Sequence, residues 1–330
     1  MSLRAPRFLE EIPEGYRVET RPGAMLAVRR DAEGALRAAG YGPDSDGGVV
    51  ESGLAGRGPL LELATPQGIF LVRRFTHGGL LRFLTGARFR DPSRPFRELC
   101  AAQALARLGV LSPDVVAARA RAARPWGWRL EVVTRCVEGA IDVEEVLALA
   151  RRGEVDRRAL SRIAAAAGDL VHRLHAGGFL HADLTPKNML VGRAALAGGE
   201  PRLWVLDLDR ARIVAEAGPR ERRASLRRLF RFVDRGEARG GRALGRTDYA
   251  RFLRAYDAEP KRWKELWREV LCAHERSLFW HAIGWRLERM AGSGTQAGGA
   301  VTPRRGATSR APGGSAPPAP AATSRRAARS

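Results

Sequence analysis

The stretch FLHADLTPKNMLV, residues 179–191, followed by LWVLDLDRARI at 203–213, decides how this chain is read. Apolar runs that look like buried strands enclose a His, an Asp two residues on, a Lys-Asn pair and then a second Asp cluster. A core strand gains nothing from such groups, because an unpaired buried carboxylate costs several kcal/mol or neutralises. They therefore serve a cation, a phosphate or a proton. Just upstream, DRRALSRIAAAAGDLVHRLHAGG places Leu160, Ile163, Ala167, Leu170, Val171 and Leu174 on one helical face and ends at a Gly pair.

His181-x-Asp183-x-x-x-x-Asn188 on a loop, with Asp207 ending LWVL, is the spacing phosphoryl transfer requires. One carboxylate, Asp183, must orient the acceptor hydroxyl and take its proton. An amide and a second carboxylate, Asn188 and Asp207, must hold the Mg2+ that bridges the ATP phosphates. Lys187, four residues after Asp183, is placed to touch the moving phosphoryl group. A metal site built from His172, His175 and His181 is the competing reading, without further Cys or His to support it.

The upstream half should then clamp the nucleotide. LLEL, GIFLVRRF and WRLEVVTRCV read as strands separated by turn signals, and DPSRPFRELCAAQALARLGV reads as a helix. Together they predict an antiparallel sheet with one helix. GLAGRGPLLEL puts Gly53, Gly56 and Gly58 before a strand, where backbone N–H groups can approach phosphates; a plain hairpin turn fits the same residues. FLVRRF offers Arg73 and Arg74 at a phosphate-binding position. Strand alternation turns them to opposite faces, and Arg73 is the expected phosphate ligand, with Glu98 on the next helix as its ion-pair partner.

The net charge is +21, almost all of it Arg, since only Lys187, Lys261 and Lys264 are lysines. From Ala291 the chain is Gly, Ala, Pro, Ser, Thr and Arg apart from Gln296 and Val301, with six Arg and no acid; removing them still leaves +15 on residues 1–290. That surface suits an anionic partner, or is simply a solvated Arg face. Cys100, Cys136 and Cys272 are odd in number and widely spaced, as in reduced cytosolic proteins. No apolar run is long enough to span a bilayer and the first residues carry no secretory signal. The expected organisation is an N-terminal extension over 1–44, a nucleotide-clamping lobe over 45–138, a catalytic and substrate-binding lobe over 139–290, and a disordered basic tail over 291–330. Helices are expected at about 219–234, 247–256 and 260–290.

LVRRFTHGGLLRFLTG, RPFREL, HADLTPKNMLV and VLDLDRAR resemble the lipopolysaccharide core kinases, most of all the 3-deoxy-D-manno-octulosonic acid (Kdo) kinases. The resemblance covers about residues 45–235. It is specific in the Gly-Gly-Leu segment and in Asp-x-Asp, where Leu208 stands for the family's Phe. It implies an α+β, protein-kinase-like bilobal fold and ATP- and Mg2+-dependent phosphorylation of a Kdo hydroxyl. The implied acceptor is Kdo-lipid A or an inner-core lipopolysaccharide precursor. The implied location is cytoplasmic, peripheral on the cytoplasmic face of the inner membrane. Ala182 precedes the catalytic Asp where regulated protein kinases carry an Arg, and no Ala-Pro-Glu segment follows Asp207, which favours a non-protein acceptor.

PRERRASLRRLFRFVDRGEARGGR places Leu226, Leu229, Phe230 and Val233 on one face of a basic helix. That face either contacts an anionic membrane or glycolipid, or packs into the core. GGLLRFLTGARFR, with Arg82, Arg88 and Arg90 beside Leu81, Phe83 and Phe89, offers a second lipid contact. Two other functions stay open: a phosphotransferase of the same fold acting on heptose, a small molecule or protein Ser/Thr, and a non-catalytic basic binder. No nucleic-acid module is recognisable, so no nucleic-acid partner is expected.

Overall fold

A computed structural model of the chain describes residues 6–52, 60–77 and 87–269. Seven strands form one antiparallel sheet in the order β1-β2-β6-β7-β5-β4-β3. They are β1 (Tyr16–Arg21), β2 (Ala24–Arg29), β3 (Val50–Glu51), β4 (Leu60–Thr65), β5 (Gly68–Arg74), β6 (Val115–Ala122) and β7 (Trp128–Arg135). Residues 1–44 were expected as an extension, but β1 and β2 lie inside this sheet, with β2 paired to β6 along Ala24–Val28. The reason is burial: Ala24, Met25, Leu26, Ala27 and Val28 are all buried, so the strand is covered on both faces and shows no alternation.

Each face of the sheet has its own helix, one more than the sequence suggested. Helix α1 (Arg30–Ala38) sets Ala32, Ala35 and Leu36 against Leu26, Val28, Leu63, Phe70, Val72 and Val133. Helix α2 (Arg94–Arg107) sets Phe96, Leu99 and Leu105 against Ala27, Ala118, Leu130 and Val132 on the opposite face. The α2 side is continuous with the helical lobe's core; the α1 side is a separate cluster. Arg119, 1% exposed, lies on the α1 side, bonded to Glu131 and to Asp46 and stacked over Tyr41 at 4.1 Å.

The helical lobe begins with β8 (Ala140–Asp142) and α3 (Val143–Arg151), whose N-cap Asp142 accepts from the Glu145 N–H. The long helix α4 (Arg157–Ala176) follows, capped by Asp156. It packs on α6 (Arg246–Tyr256) so closely that a Cβ at Gly168 would sit 2.1 Å from the Phe252 carbonyl oxygen. Between them run β9 (Phe179–Leu180), β10 (Met189–Gly192), β11 (Leu203–Val205), β12 (Arg212–Ile213) and α5 (Pro219–Gly240); α7 (Pro260–Trp267) is the last described element, and the rest of the helix expected to 290 lies outside the described residues. Helix α5 is six residues longer than expected, because Arg235–Gly240 continue past the apolar pattern. The described residues fall within one compact unit, Met1–Phe279, and the expected tail lies outside them.

His175 ends α4 in the core, 1% exposed, its Nδ1 2.9 Å from the Tyr256 hydroxyl. Burial, together with the charge of Arg222, lowers its pKa to about 4. The neutral ring is the native form, so its contribution is complete above the unfolded value near 6.5 and is lost as pH falls towards 4. We expect roughly 3 kcal/mol of acid destabilisation from this group between those limits. Urea melts at pH 7.5 and 4.5 check it: His175→Gln should narrow the gap between the two, and an unchanged gap would assign acid sensitivity elsewhere.

Candidate active site

Two segments far apart in sequence meet because β10 and β11 pair antiparallel, Met189 opposite Val205. Asn188 enters β10 and Asp207 follows β11 at the same end, joined by the Leu206 N–H donating to the Asn188 carbonyl at 2.9 Å. The loop bearing Asp183 is held from both sides. Asn188 Nδ2 donates to the Asp183 carbonyl at 2.7 Å and lies 3.4 Å from its Oδ2. The Asp183 N–H donates to His181 Nδ1 at 3.1 Å, and His181 Nε2 lies 2.8 Å from the Leu206 carbonyl. An N–H donor requires a lone pair at Nδ1, so His181 is the neutral Nε2–H tautomer and donates to Leu206. Burial disfavours its protonation, in agreement. His181 is thus a strut between the Asp183 loop and the Asp207 segment.

Asp207 has φ +58, the left-handed region, which Asp tolerates better than most residues. Such a backbone recurs at functional sites. Its Oδ1 lies 3.7 Å from Arg73 Nη1. Arg73 also donates through Nη2 to Glu98, which is 5% exposed on α2. Burial pushes the Glu98 carboxyl up, and the Arg73 guanidinium pulls it back. Arg74 turns to the other face of β5, bonding Glu131 at 2.9 Å and Asp46 at 3.3 Å. The alternation of the strand separates the two arginines.

A second ion pair runs beside the first. Arg94, at the start of α2, grips Asp209 with both arms, Nε to Oδ1 at 3.0 Å and Nη2 to Oδ2. Its guanidinium lies 4.7 Å from the Phe89 ring centroid and 5.3 Å from that of Phe75. Arg94 and Asp209 had no assigned role in the sequence reading; the charged first residue of RPFREL and the second Asp of Asp-Leu-Asp were the available signals. Lys187 points elsewhere than expected: its Nζ pairs with Glu144 of α3 at 3.0 Å and lies 6.0 Å from the Phe232 ring of α5. Gly56 and Gly58 lie outside the described residues, as do Leu81, Arg82 and Phe83.

The three histidines do not converge. His175 turns to Tyr256 and His181 to Leu206, and no cluster of three or more His, Cys, Asp or Glu able to hold a metal occurs among the described residues. Asn188 and Asp207 instead lie at the same end of the β10–β11 pair, and the Asn188 amide nitrogen is committed to Asp183, so an amide oxygen and a carboxylate are the candidate ligands for a cation there. Hard oxygen donors, few in number, suit Mg2+ completed by substrate phosphates.

A family model described as "Lipopolysaccharide kinase (Kdo/WaaP) family" matches residues 73–256, a span that holds Arg73, Glu98, Asp183, Asn188 and Asp207. The chain belongs to the lipopolysaccharide kinase (Kdo/WaaP) family. Relatives named 3-deoxy-D-manno-octulosonic acid kinase include one from Stenotrophomonas maltophilia, 30% identical over 62% of this chain and 78% of that protein. Another, from Xanthomonas axonopodis pv. citri, is 28% identical over 73% of this chain and 92% of its own. A solved structure described as WaaP in complex with acyl carrier protein covers 76% of this chain and 97% of that one, at a TM-score of 0.50 and 22% identity. At that identity the match speaks to the fold, which is the α+β protein-kinase-like fold. In this family member the nucleotide-clamp candidates sit on the sheet and α2, and the proton-transfer and metal candidates on the β9–β11 segment.

Proposed function

We propose that this kinase-family chain phosphorylates a hydroxyl of Kdo in the lipid A-linked inner core of lipopolysaccharide, using ATP and Mg2+. The observation that carries the reading is the assembly of Asp183, Asn188 and Asp207 at one end of the β10–β11 pair. The names of the relatives support Kdo as the sugar.

Asp183 orients the acceptor hydroxyl and removes its proton. Asn188 and Asp207 hold the cation, whose chemistry is to neutralise charge on the phosphates. Arg73, oriented by Glu98, holds the nucleotide phosphates; Gly56 and Gly58, outside the described residues, are the further candidates for the clamp. Lys187 is half exposed and reaches a phosphoryl group only when its pair with Glu144 opens. His181 keeps the Asp183 and Asp207 segments in register.

No helix among the described residues is long and apolar enough to cross a membrane. The proposed place of work is the cytoplasmic face of the inner membrane, where a lipid-linked acceptor is presented.

Transfer of labelled γ-phosphate to Kdo-lipid A, heptosylated core and a generic protein, run in parallel, tests the reading. Kdo-lipid A should be labelled first. Labelling confined to the heptosylated core or to protein would move the acceptor assignment to the second class of phosphotransferase, and no labelling would revive the non-catalytic binder. We also expect Asp207→Asn and Asn188→Ala to raise the Mg2+ needed for half-maximal rate by about 10–100-fold. An unchanged Mg2+ titration removes both from the metal site.

A further inference from the structure

Helix α5 carries a charge distribution that phosphoryl transfer does not use. At about 100° per residue, buried Leu226, Leu229, Phe230 and Val233 occupy one arc of about 100°. Arg220, Arg227, Arg228, Arg231, Arg235 and Arg239, all exposed, occupy an opposing arc of about 120°. None of these six forms an ion pair among the described residues, although α5 contains acids. Glu221 accepts from the Gly218 N–H, Asp234 from the Tyr249 hydroxyl and Glu237 from the Leu244 N–H. The remaining arginines of the helix are occupied, Arg222 by the Ala217 carbonyl and Arg223 by Glu269. Arg227, Arg231, Arg235 and Arg239 even follow one another at four-residue spacing, where like charges repel and destabilise a helix. A face kept for solubility alone is better served by mixed charges.

We propose that this ridge docks the protein on an anionic phospholipid bilayer by charge, without insertion. The buried apolar face of α5 is spent on the core, and the one large apolar side chain of the helix outside it, Phe232, is half-buried beside Lys187, so the exposed ridge itself offers charge and not an apolar surface. The ridge runs about 28 Å along a convex helix, a shape that meets a plane rather than enclosing a ligand. It also borders the active site. Phe232, between the buried and basic arcs, neighbours Lys187, whose Nζ lies 6.0 Å from its ring centroid. A bilayer held at the ridge thus lies beside the catalytic loop. This orientation rests on the lipid-linked acceptor proposed above; the docking itself does not.

The test is sedimentation of the full chain with vesicles, in the absence of nucleotide and sugar acceptor. Vesicles of phosphatidylglycerol and phosphatidylethanolamine should bind it at low salt and release it at high salt, and phosphatidylcholine vesicles should not bind it. The combined variant Arg228→Gln, Arg231→Gln, Arg235→Gln and Arg239→Gln should lose about 10²–10³-fold in partitioning, at about fivefold per arginine. Its melting temperature should hold or rise, since repulsion is relieved. The smaller variant Arg235→Gln with Arg239→Gln should lose about 25-fold, which covers any folding failure of the larger one. An equal charge change at exposed Arg107, Arg129, Arg158 and Arg193, all to Gln, should leave most binding intact. Equal losses in both sets would reduce the ridge to bulk charge. Full binding by the ridge variant would place the contact elsewhere, and salt-resistant binding would mean insertion; either overturns the proposal. Because no Kdo is present, failure of the acceptor assignment leaves this result unaffected.

Discussion

Asp183→Ala should lower phosphoryl transfer by about 10²–10⁴-fold while ATP still binds. The structure separates the two effects. Asn188 Nδ2 holds the Asp183 loop chiefly through the main-chain carbonyl, at 2.7 Å, and His181 holds its N–H. Both bonds survive loss of the carboxylate, so the loop keeps its course and the defect falls on proton transfer. The nucleotide candidates Arg73 and Glu98 lie on other elements and keep their own contact. Asp183→Asn should be almost as inactive, because it keeps the size and loses the base. Equilibrium ATP binding measured beside single-turnover transfer checks this. Near-normal turnover in either variant would remove Asp183 from its role.

Arg73→Ala should raise the ATP KM and lower kcat, with a combined loss of about 10²–10³-fold. Without the guanidinium, Glu98 is buried with no cation and takes up a proton, which its burial already favours. Protonation limits the damage to the fold, at about 1–3 kcal/mol for the lost bonds, so activity is the larger casualty. Glu98→Ala should act on the same parameters, and the double variant should cost little more than either, because the pair works as a unit. Arg73→Lys should keep partial activity, being shorter and without the two-armed fork. Arg74→Ala should leave the ATP KM alone, since its partners Glu131 and Asp46 lie across the sheet. A normal Arg73→Ala with an inactive Arg74→Ala would reverse the assignment of faces. Normal kinetics in both would make Gly56 and Gly58 the next phosphate-binding candidates.

The juxtaposition of the candidate catalytic segments was legible because its signal is local: fixed spacing on one loop, then an apolar strand ending in Asp. β5 was legible because period-two alternation predicts opposite faces for neighbouring arginines. β6 was not, since VVAARARA is rich in Ala, a poor strand former, and carries Arg119 inside the fold. The Arg94–Asp209 pair spans 115 residues, and no periodicity reports a contact of that kind. The spacing that places Lys187 near the phosphoryl group says nothing of its partner; Glu144 lies 43 positions earlier, on a helix whose placement only the fold reveals. For α5 the pattern gave the apolar face but not what covers it. Core and membrane ask for the same residues, and packing in the helical lobe decided for the core.

The β1–β2 hairpin has a consequence for the handling of the chain. β2 is the neighbour that satisfies one side of β6, whose Val115–Ala120 are all buried. A chain begun at residue 45 would carry every candidate catalytic side chain, yet it would leave the five β6 positions that β2 covers, Ala117–Arg121, as an open strand edge. Unpaired N–H and C=O groups along such an edge recruit strands from other molecules. The hairpin is therefore a seal against self-association, and trimming it would turn a kinase lobe into a template for aggregates.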